Sequence, residues 1–181
     1  MYRIGSSTSS SNSNFRIFLL SVVCCLMTAC GFHPVYETDD GNPTSAKLAN
    51  VKVEKVVDKN KQESRPTQIL QNDLENLLNP ANVPSSNDYS LNIEMTLTRQ
   101  DLGLQNDLRV TRYNVNATAT YHLIRLSDNR EVDTGSVSTQ SSFNRTVSEF
   151  STYVAEQNSN ELASKELAEE IHQRLMYYFS K

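Results

Sequence analysis

The sequence has few of the residues that build common catalytic and cofactor-binding sites. It contains no tryptophan, only three histidines and only five glycines among 181 residues. Four glycines lie beyond the first 29 residues, and they are too far apart to form a phosphate-binding loop, a dinucleotide fingerprint or a nucleophile elbow. The three histidines have no second histidine or carboxylate at metal-ligand spacing. The sequence therefore predicts that the protein is not an enzyme and holds no metal or cofactor.

Cysteine and positive charge are also scarce. Two of the three cysteines lie in the first 29 residues, so Cys30 is the only one left in the remaining 152, and no disulfide is expected. Two of the 17 basic residues lie in the same leader, which leaves 15 against 21 acidic residues. This acidic balance excludes the basic stripe that is typical of a nucleic-acid-binding protein. The remaining length suits one domain with a core of its own.

The longest apolar run, from Ile17 to Met27, is about half the ~20 residues that a membrane-spanning helix needs. It follows Arg3 and Arg16 and ends at small residues, which is typical of a signal peptide covering residues 1–29. One alternative is an ordinary secretory signal with a chance cysteine at the cleavage site.

The residues around the cut indicate a lipid anchor. Thr28 and Ala29 directly before Cys30 resemble a bacterial lipobox, although Met27 stands where leucine is usual. The resemblance implies a diacylglycerol on the sulfur of Cys30 and an acyl chain on its amine. Several such chains would hold the protein on a membrane. Gly31, instead of the aspartate typical of inner-membrane retention, favours the outer membrane with the protein facing the periplasm.

After the signal peptide, the sequence predicts a lipidated N-terminus and tether over 30–46 and one α+β domain over 47–181. Alternating apolar and polar residues from Tyr89 to Leu97 predict a strand with one buried and one wet face, which favours antiparallel pairing. Apolar residues recurring every fourth position from Ala163 to Phe179 predict an amphipathic helix. The expected elements are strands at 49–57, 89–97, 108–126 and 131–143, and helices at 64–78 and 159–179. Their order, β-α-β-β-β-α, predicts a four-stranded, mainly antiparallel sheet with both helices packed on one face.

Two features of the predicted sheet bear on binding. Its wet face carries long rows of Asn, Thr and Ser, which suit packing against a hydrated wall. Four arginines lie on or beside the central strands and have the planar donor fork that suits phosphate: Arg99, Arg109, Arg112 and Arg125. The alternative is that they decorate the wet face and pair with Asp101 and Asp107.

Several stretches resemble one family. The start of the mature chain, from Cys30 to Tyr36, is similar to that of the LptE family of lipopolysaccharide-assembly lipoproteins in its alphaproteobacterial form. The segments at 112–123, 142–144 and 153–179 resemble the central strand, a strand-ending aromatic-Asn pattern and the last helix of the family. The segment 158–160 departs from it, because a more charged helix entry is expected there.

The resemblance implies a function without catalysis. Members are similar in being anchored to the inner leaflet of the outer membrane and in plugging the LptD β-barrel, which they help to assemble. The pair inserts lipopolysaccharide into the outer leaflet, so the four arginines become candidate contacts to it. The alternative from another class is a free-standing lipoprotein on the periplasmic side that binds a lipid or stabilises the envelope.

Overall fold

The computed structural model describes residues 43–60, 62–82, 85–104 and 110–181. This part of the chain forms three helices and four strands in the following order: α1 (Pro43–Ala49), β1 (Val51–Asp58), α2 (Arg65–Leu78), β2 (Tyr89–Leu104), β3 (Val110–Arg125), β4 (Arg130–Asn144) and α3 (Glu149–Ser180). The predicted α+β class and the predicted order from β1 to α3 are confirmed, with α1 as an added element at the start.

The strands form one sheet in the order β1-β2-β3-β4. β1 and β2 run parallel, because α2 carries the chain across between them, whereas β2-β3 and β3-β4 are antiparallel. The β2-β3 register extends from the pair Tyr89 and Arg125 to the pair Leu104 and Val110. The sheet is therefore mainly antiparallel, as predicted, and its two outer strands are β1 and β4.

Helix α2 begins where its sequence predicts. The backbone N–H of Ser64 donates to the Thr67 hydroxyl at 2.8 Å, which satisfies a donor next to the first turn. Pro66 lies in that first turn, where its missing N–H breaks no helical hydrogen bond. Leu70, Leu74 and Leu78 then face the core at helical spacing.

The core lies between one face of the sheet and helices α2 and α3. Alternate residues of β2 and β3 point into this core, so the period of two in their sequences correctly predicts which face of each strand is buried. The largest fully buried aliphatic side chains are Leu70, Leu74, Leu91, Met95, Leu123, Leu167, Ile171 and Leu175. Ala117 and Ala119 are also fully buried at the centre of β3. The burial of both helices against this one face confirms the predicted layer arrangement.

Helix α1 overlaps the end of the segment 30–46 that is predicted as a tether, and it buries Leu48. Two predicted element boundaries were wrong. β2 was expected to end at Leu97 before a turn, but it stays paired with β3 to Leu104. The segment 144–158 was expected to be a connection, but α3 begins at Glu149.

Polar contacts explain why α3 begins earlier than the apolar pattern predicts. The Ser148 side chain caps the helix by accepting from the backbone N–H of Ser151 at 3.3 Å. One turn later the buried Thr152 hydroxyl accepts from the Thr146 N–H at 3.0 Å. Further along, the Ser159 hydroxyl donates to that of Ser141 on β4 at 2.9 Å, and both residues are buried. Hydroxyl groups thus hold this half of α3 to the connection after β4 through Thr152 and to β4 itself through Ser159, and such contacts give no apolar period.

Half-buried His172 on α3 leads to a pH prediction. Burial lowers its pKa below the ordinary value of 6.5, because the charged imidazolium is poorly solvated there. The unfolded chain then takes up a proton at higher pH than the folded one. The stability contributed by neutral His172 is fully present above pH 6.5 and is lost as the pH falls towards the lowered value. We expect the urea midpoint to fall over this range in the wild type and to fall less in His172→Gln. Equal acid slopes for the two proteins would contradict the prediction.

Candidate interaction surfaces

The sheet face opposite the helices is polar across its three longest strands. Over the central part of this face the side chains are mainly amides and hydroxyls that are exposed or half-exposed. They are Asn92, Glu94, Thr96, Thr98 and Gln100 on β2, Arg112, Asn114, Asn116, Thr118, Thr120 and His122 on β3, and Thr134, Ser136, Ser138, Gln140 and Ser142 on β4. We call these residues the open sheet face. The predicted wet face with rows of Asn, Thr and Ser is confirmed.

Hydrogen bonds tie the open sheet face together across the strands. The Gln140 amide donates to the Asn116 Oδ1 at 2.6 Å, and the Asn116 amide donates to the Gln100 Oε1 at 3.5 Å. Near the same end of the sheet, Arg112 donates to the Ser142 hydroxyl at 2.6 Å. These bonds hold planar amides in a row across β2, β3 and β4. The face thus offers fixed donors and acceptors to a polar partner.

Towards the other end of the open sheet face, His122 contacts two side chains of β4. Its Nδ1 lies 2.7 Å from a Glu131 carboxylate oxygen and 3.2 Å from the Thr134 hydroxyl. In the described part of the chain, no three His, Cys, Asp or Glu side chains come close enough together to hold a metal ion. The contacts of His122 with Glu131 and Thr134 join β3 to β4 near the hairpin between these strands.

The structure separates the predicted arginines instead of clustering them. Arg99 lies on the helix-facing side of β2, 3.1 Å from Glu156 of α3 and 5.0 Å from the Tyr113 ring centre. Arg112 lies near the same end of the sheet but on the open sheet face. Arg125 lies thirteen residues further along β3, about 40 Å away, near Asp128.

Two predicted site residues, Arg109 and Cys30, lie outside the described residues. Among the others, Arg99 and Arg112 share an end of the domain, whereas no single small headgroup can reach Arg112 and Arg125 together. Arg99 is paired with Glu156 and not with Asp101, the partner considered from the sequence. The sequence could not reveal that pairing, because Glu156 lies in the segment expected to be a connection.

An exposed apolar group surrounds the start of α3. Val147 is fully exposed, Phe150 is 75% exposed, and Tyr153 and Val154 are also exposed. Spacings of three and four residues place Phe150, Tyr153 and Val154 along one side of the helix. The sequence pattern predicts a connection here, whereas the family resemblance over 153–179 implies that Tyr153 and Val154 belong to the last helix, and neither gives these side chains a role.

The most strongly perturbed titrating side chain lies in the core. Burial raises the pKa of Tyr121 to about 12, and the neighbouring Asp133 carboxylate adds to the shift. The Tyr121 hydroxyl donates to Asp133 at 3.1 Å. The ring is buried against α3, so the pair stabilises the packing and is not open to a substrate.

In the described part of the chain, no helix has both the length and the hydropathy needed to cross a membrane.

Comparison with protein families identifies the relatives of this domain. The family model described as LptE, lipopolysaccharide-assembly, matches residues 48–178, which include everything from the end of α1 to nearly the end of α3. The chain belongs to the LptE family. A search of curated proteins finds no match.

Solved structures show the same fold at low sequence identity. A Caulobacter crescentus protein described as a lipoprotein is 17% identical with a TM-score of 0.58, and the match covers 76% of this chain and 96% of that one. A minor lipoprotein from Acinetobacter baumannii is 18% identical with a TM-score of 0.54, covering 72% and 92%. Lipoprotein B from Nitrosomonas europaea is 12% identical with a TM-score of 0.52, covering 73% and 88%. This LptE-family chain therefore shares its α+β fold with several lipoproteins.

Proposed function

We propose that this LptE-family protein is an outer-membrane lipoprotein, anchored through lipid chains on Cys30, that plugs the LptD β-barrel from the periplasmic side. In this role it helps to assemble the barrel and to insert lipopolysaccharide into the outer leaflet. The role requires binding and positioning but no catalysis. The observation that carries the proposal is the family match over residues 48–178.

The surface of the domain supports this proposal. A plug inside a hydrated barrel needs a wall-facing surface that binds through polar groups, and the open sheet face provides rows of amides and hydroxyls. The amides of Gln100, Asn116 and Gln140 are already oriented by one another. Groups that are ordered before binding lose less conformational entropy when the partner arrives.

The first test is to purify the full-length protein gently from membranes through a C-terminal tag and to identify what remains bound. We expect a large β-barrel protein in a one-to-one ratio. A protein recovered alone would contradict the plug function and favour the free-standing lipoprotein that binds a lipid.

Matched charge variants test whether the open sheet face meets the barrel. Thr118→Lys adds a charge at the centre of this face, whereas Asn72→Lys adds the same charge on the exposed side of α2. Burying an unpaired ammonium against a wall is unfavourable, so we expect Thr118→Lys to lower barrel recovery at least about tenfold. Asn72→Lys should leave recovery unchanged. Equal recovery with both variants would exclude the open sheet face as the contact.

We also propose that arginines contact the phosphates of lipopolysaccharide. Arg99→Ala, Arg109→Ala, Arg112→Ala and Arg125→Ala should each be measured for lipopolysaccharide binding at low salt, where charge interactions are least screened. Arg99 and Arg112 lie at one end of the domain but on opposite faces of the sheet, and Arg125 lies near the other end, so the variant with the largest loss of binding identifies the end and the face that the phosphates contact. Unchanged binding in all four variants would remove the arginines from the site.

A further inference from the structure

The two edges of the sheet are protected very differently. β1 has only eight residues, carries Lys52, Glu54 and Lys55, and has a register shift between Val53 and Lys55. Short length, charged side chains and an irregular register are three ways in which proteins prevent another strand from pairing with an exposed edge. The β1 edge is therefore a poor template for a further strand.

The β4 edge has none of these protections along most of its length. β4 has fifteen residues, and the stretch Thr134–Asn144 contains no charged residue and no proline. Its pairing with β3 is regular from Asp133 to Asn144, since the one register shift lies at the hairpin end. α3 covers only the inner face of β4, where Ser141 is buried, whereas Ser138 and Gln140 on the outer face are exposed. Among the described residues no strand pairs with the outer side of β4, so its backbone groups form a long template for a further strand.

We propose that the β4 edge binds an extended strand of a partner protein, which adds to the sheet as a fifth strand. In this mode the backbone hydrogen bonds of the edge supply affinity and the alternating side chains supply specificity. The proposal concerns the backbone edge of β4, so it does not require the barrel to pack on the open sheet face, although Ser138 and Gln140 border both surfaces.

The side chains beside the edge define the chemistry of this partner. The Thr139 hydroxyl on β4 donates to the Glu166 carboxylate, which places Glu166 on the β4 side of α3. Glu170 is exposed and follows one turn later on the same side. Residues of the added strand that point towards α3 would meet these carboxylates, and those on the other face would meet Ser138 and Gln140. The edge thus suits a strand in which Lys or Arg alternates with small polar residues.

The same charges disfavour a second copy of this chain as the occupant. Pairing two β4 edges about a twofold axis would bring Glu166 and Glu170 of both copies towards the same seam. The whole chain carries a net charge of −4, so the approach of two copies is also repulsive. A basic strand from another protein experiences the opposite effect.

A synthetic peptide of six Thr-Lys repeats provides the probe. We expect saturable binding to the full-length protein below about 1 mM. Hydrogen exchange of the protein with bound peptide should slow in β4 between residues 134 and 144 and remain unchanged in β1. A peptide of the same sequence with every backbone nitrogen methylated keeps the charge but has no N–H donors on either edge for the backbone ladder, so it should bind at least about tenfold more weakly.

Variants of the protein separate edge pairing from general charge attraction. Ser138→Lys with Gln140→Lys adds two charges at the β4 edge, whereas Gln68→Lys with Asn72→Lys adds two on the exposed side of α2. The first pair should weaken peptide binding at least about tenfold and the second by less than about threefold. Absence of binding, equal binding of the methylated peptide, or equal slowing of exchange in β1 and β4 would each overturn the proposal. Barrel recovery is a separate measurement, so failure of either proposal is distinguishable.

Discussion

Replacing Leu167 with alanine should lower the free energy of unfolding by about 3 to 5 kcal/mol. Leu167 is fully buried on α3, within the core that this helix forms with α2 and the sheet. Truncation removes three buried carbon atoms and leaves a cavity that rigid strands on the other side cannot fill. Since small domains are stable by only about 5 to 15 kcal/mol, one such change removes a large share of the total. Urea unfolding followed by circular dichroism measures the loss.

The same helix offers a matched control. Leu162 lies five residues earlier and is 50% exposed. Leu162→Ala makes the same chemical change and nearly the same change in helix propensity, but it creates no internal cavity. Its effect should remain within about 0.5 kcal/mol. Similar losses for the two variants would mean that the apolar stripe of α3 does not pack against the sheet as the structure shows.

The apolar stripe around Leu167 also explains why the sequence was informative for part of the fold. From Ala163 to Phe179, α3 packs on the core through hydrocarbon, so its buried residues recur with the helical period. β2 and β3 are each covered on one side only, and their alternation therefore predicted both the strands and the polar face. These signals depend on one face being dry and the other wet.

The predictions failed where the packing was polar. The first eleven residues of α3 are anchored by hydroxyls such as Thr152 and Ser159, which look like solvent-facing residues in a sequence. The end of β2 was missed because Arg99 occupies a helix-facing position and is held there by Tyr113 and Glu156. α1 is too short to show a period, since Leu48 is the one buried residue among those of its side chains that the structure describes. The signals available for α3 were a capping residue, Ser148, followed by Glu149 in the first turn.

The candidate surfaces were predictable to different degrees. The wet face followed directly from the alternation in β2 and β3. Whether the arginines form a cluster was not predictable, because their separation depends on which face and which end of the sheet each one occupies. The unprotected β4 edge was also hidden, since a strand becomes an edge only through the order of the whole sheet.

Replacing Gly135 is the second change with a large expected effect on stability, and whether it stabilises or destabilises the protein is informative. A glycine within a strand normally weakens it, so replacement by alanine is expected to stabilise by roughly 0.5 to 1 kcal/mol. Gly135, however, lies directly opposite Tyr121 in the β3-β4 register. A Cβ at this position would lie 2.8 Å from the Tyr121 hydroxyl oxygen and 2.9 Å from two of its ring carbons. These separations are shorter than van der Waals contact, so either the ring or the strand must move.

Tyr121 cannot move without losing stabilising contacts. It is 3% exposed, and its hydroxyl donates to Asp133 at 3.1 Å. We therefore expect Gly135→Ala to destabilise by about 1 to 3 kcal/mol, as overpacked sites do, and Gly135→Val to destabilise more despite the strand preference of valine. Ser136→Ala, at the exposed neighbouring position, should remain within about 0.5 kcal/mol.

A double-mutant cycle with Tyr121 identifies the cause. Tyr121→Ala is itself destabilising, because it removes a buried ring, but it also removes the atoms that a Cβ at position 135 would strike. In that background Gly135→Ala should be neutral or stabilising, which gives a coupling energy of about 1 to 3 kcal/mol between the two sites. An unchanged penalty in the Tyr121→Ala background would show that the glycine is required by the strand itself and not by the ring that packs over it.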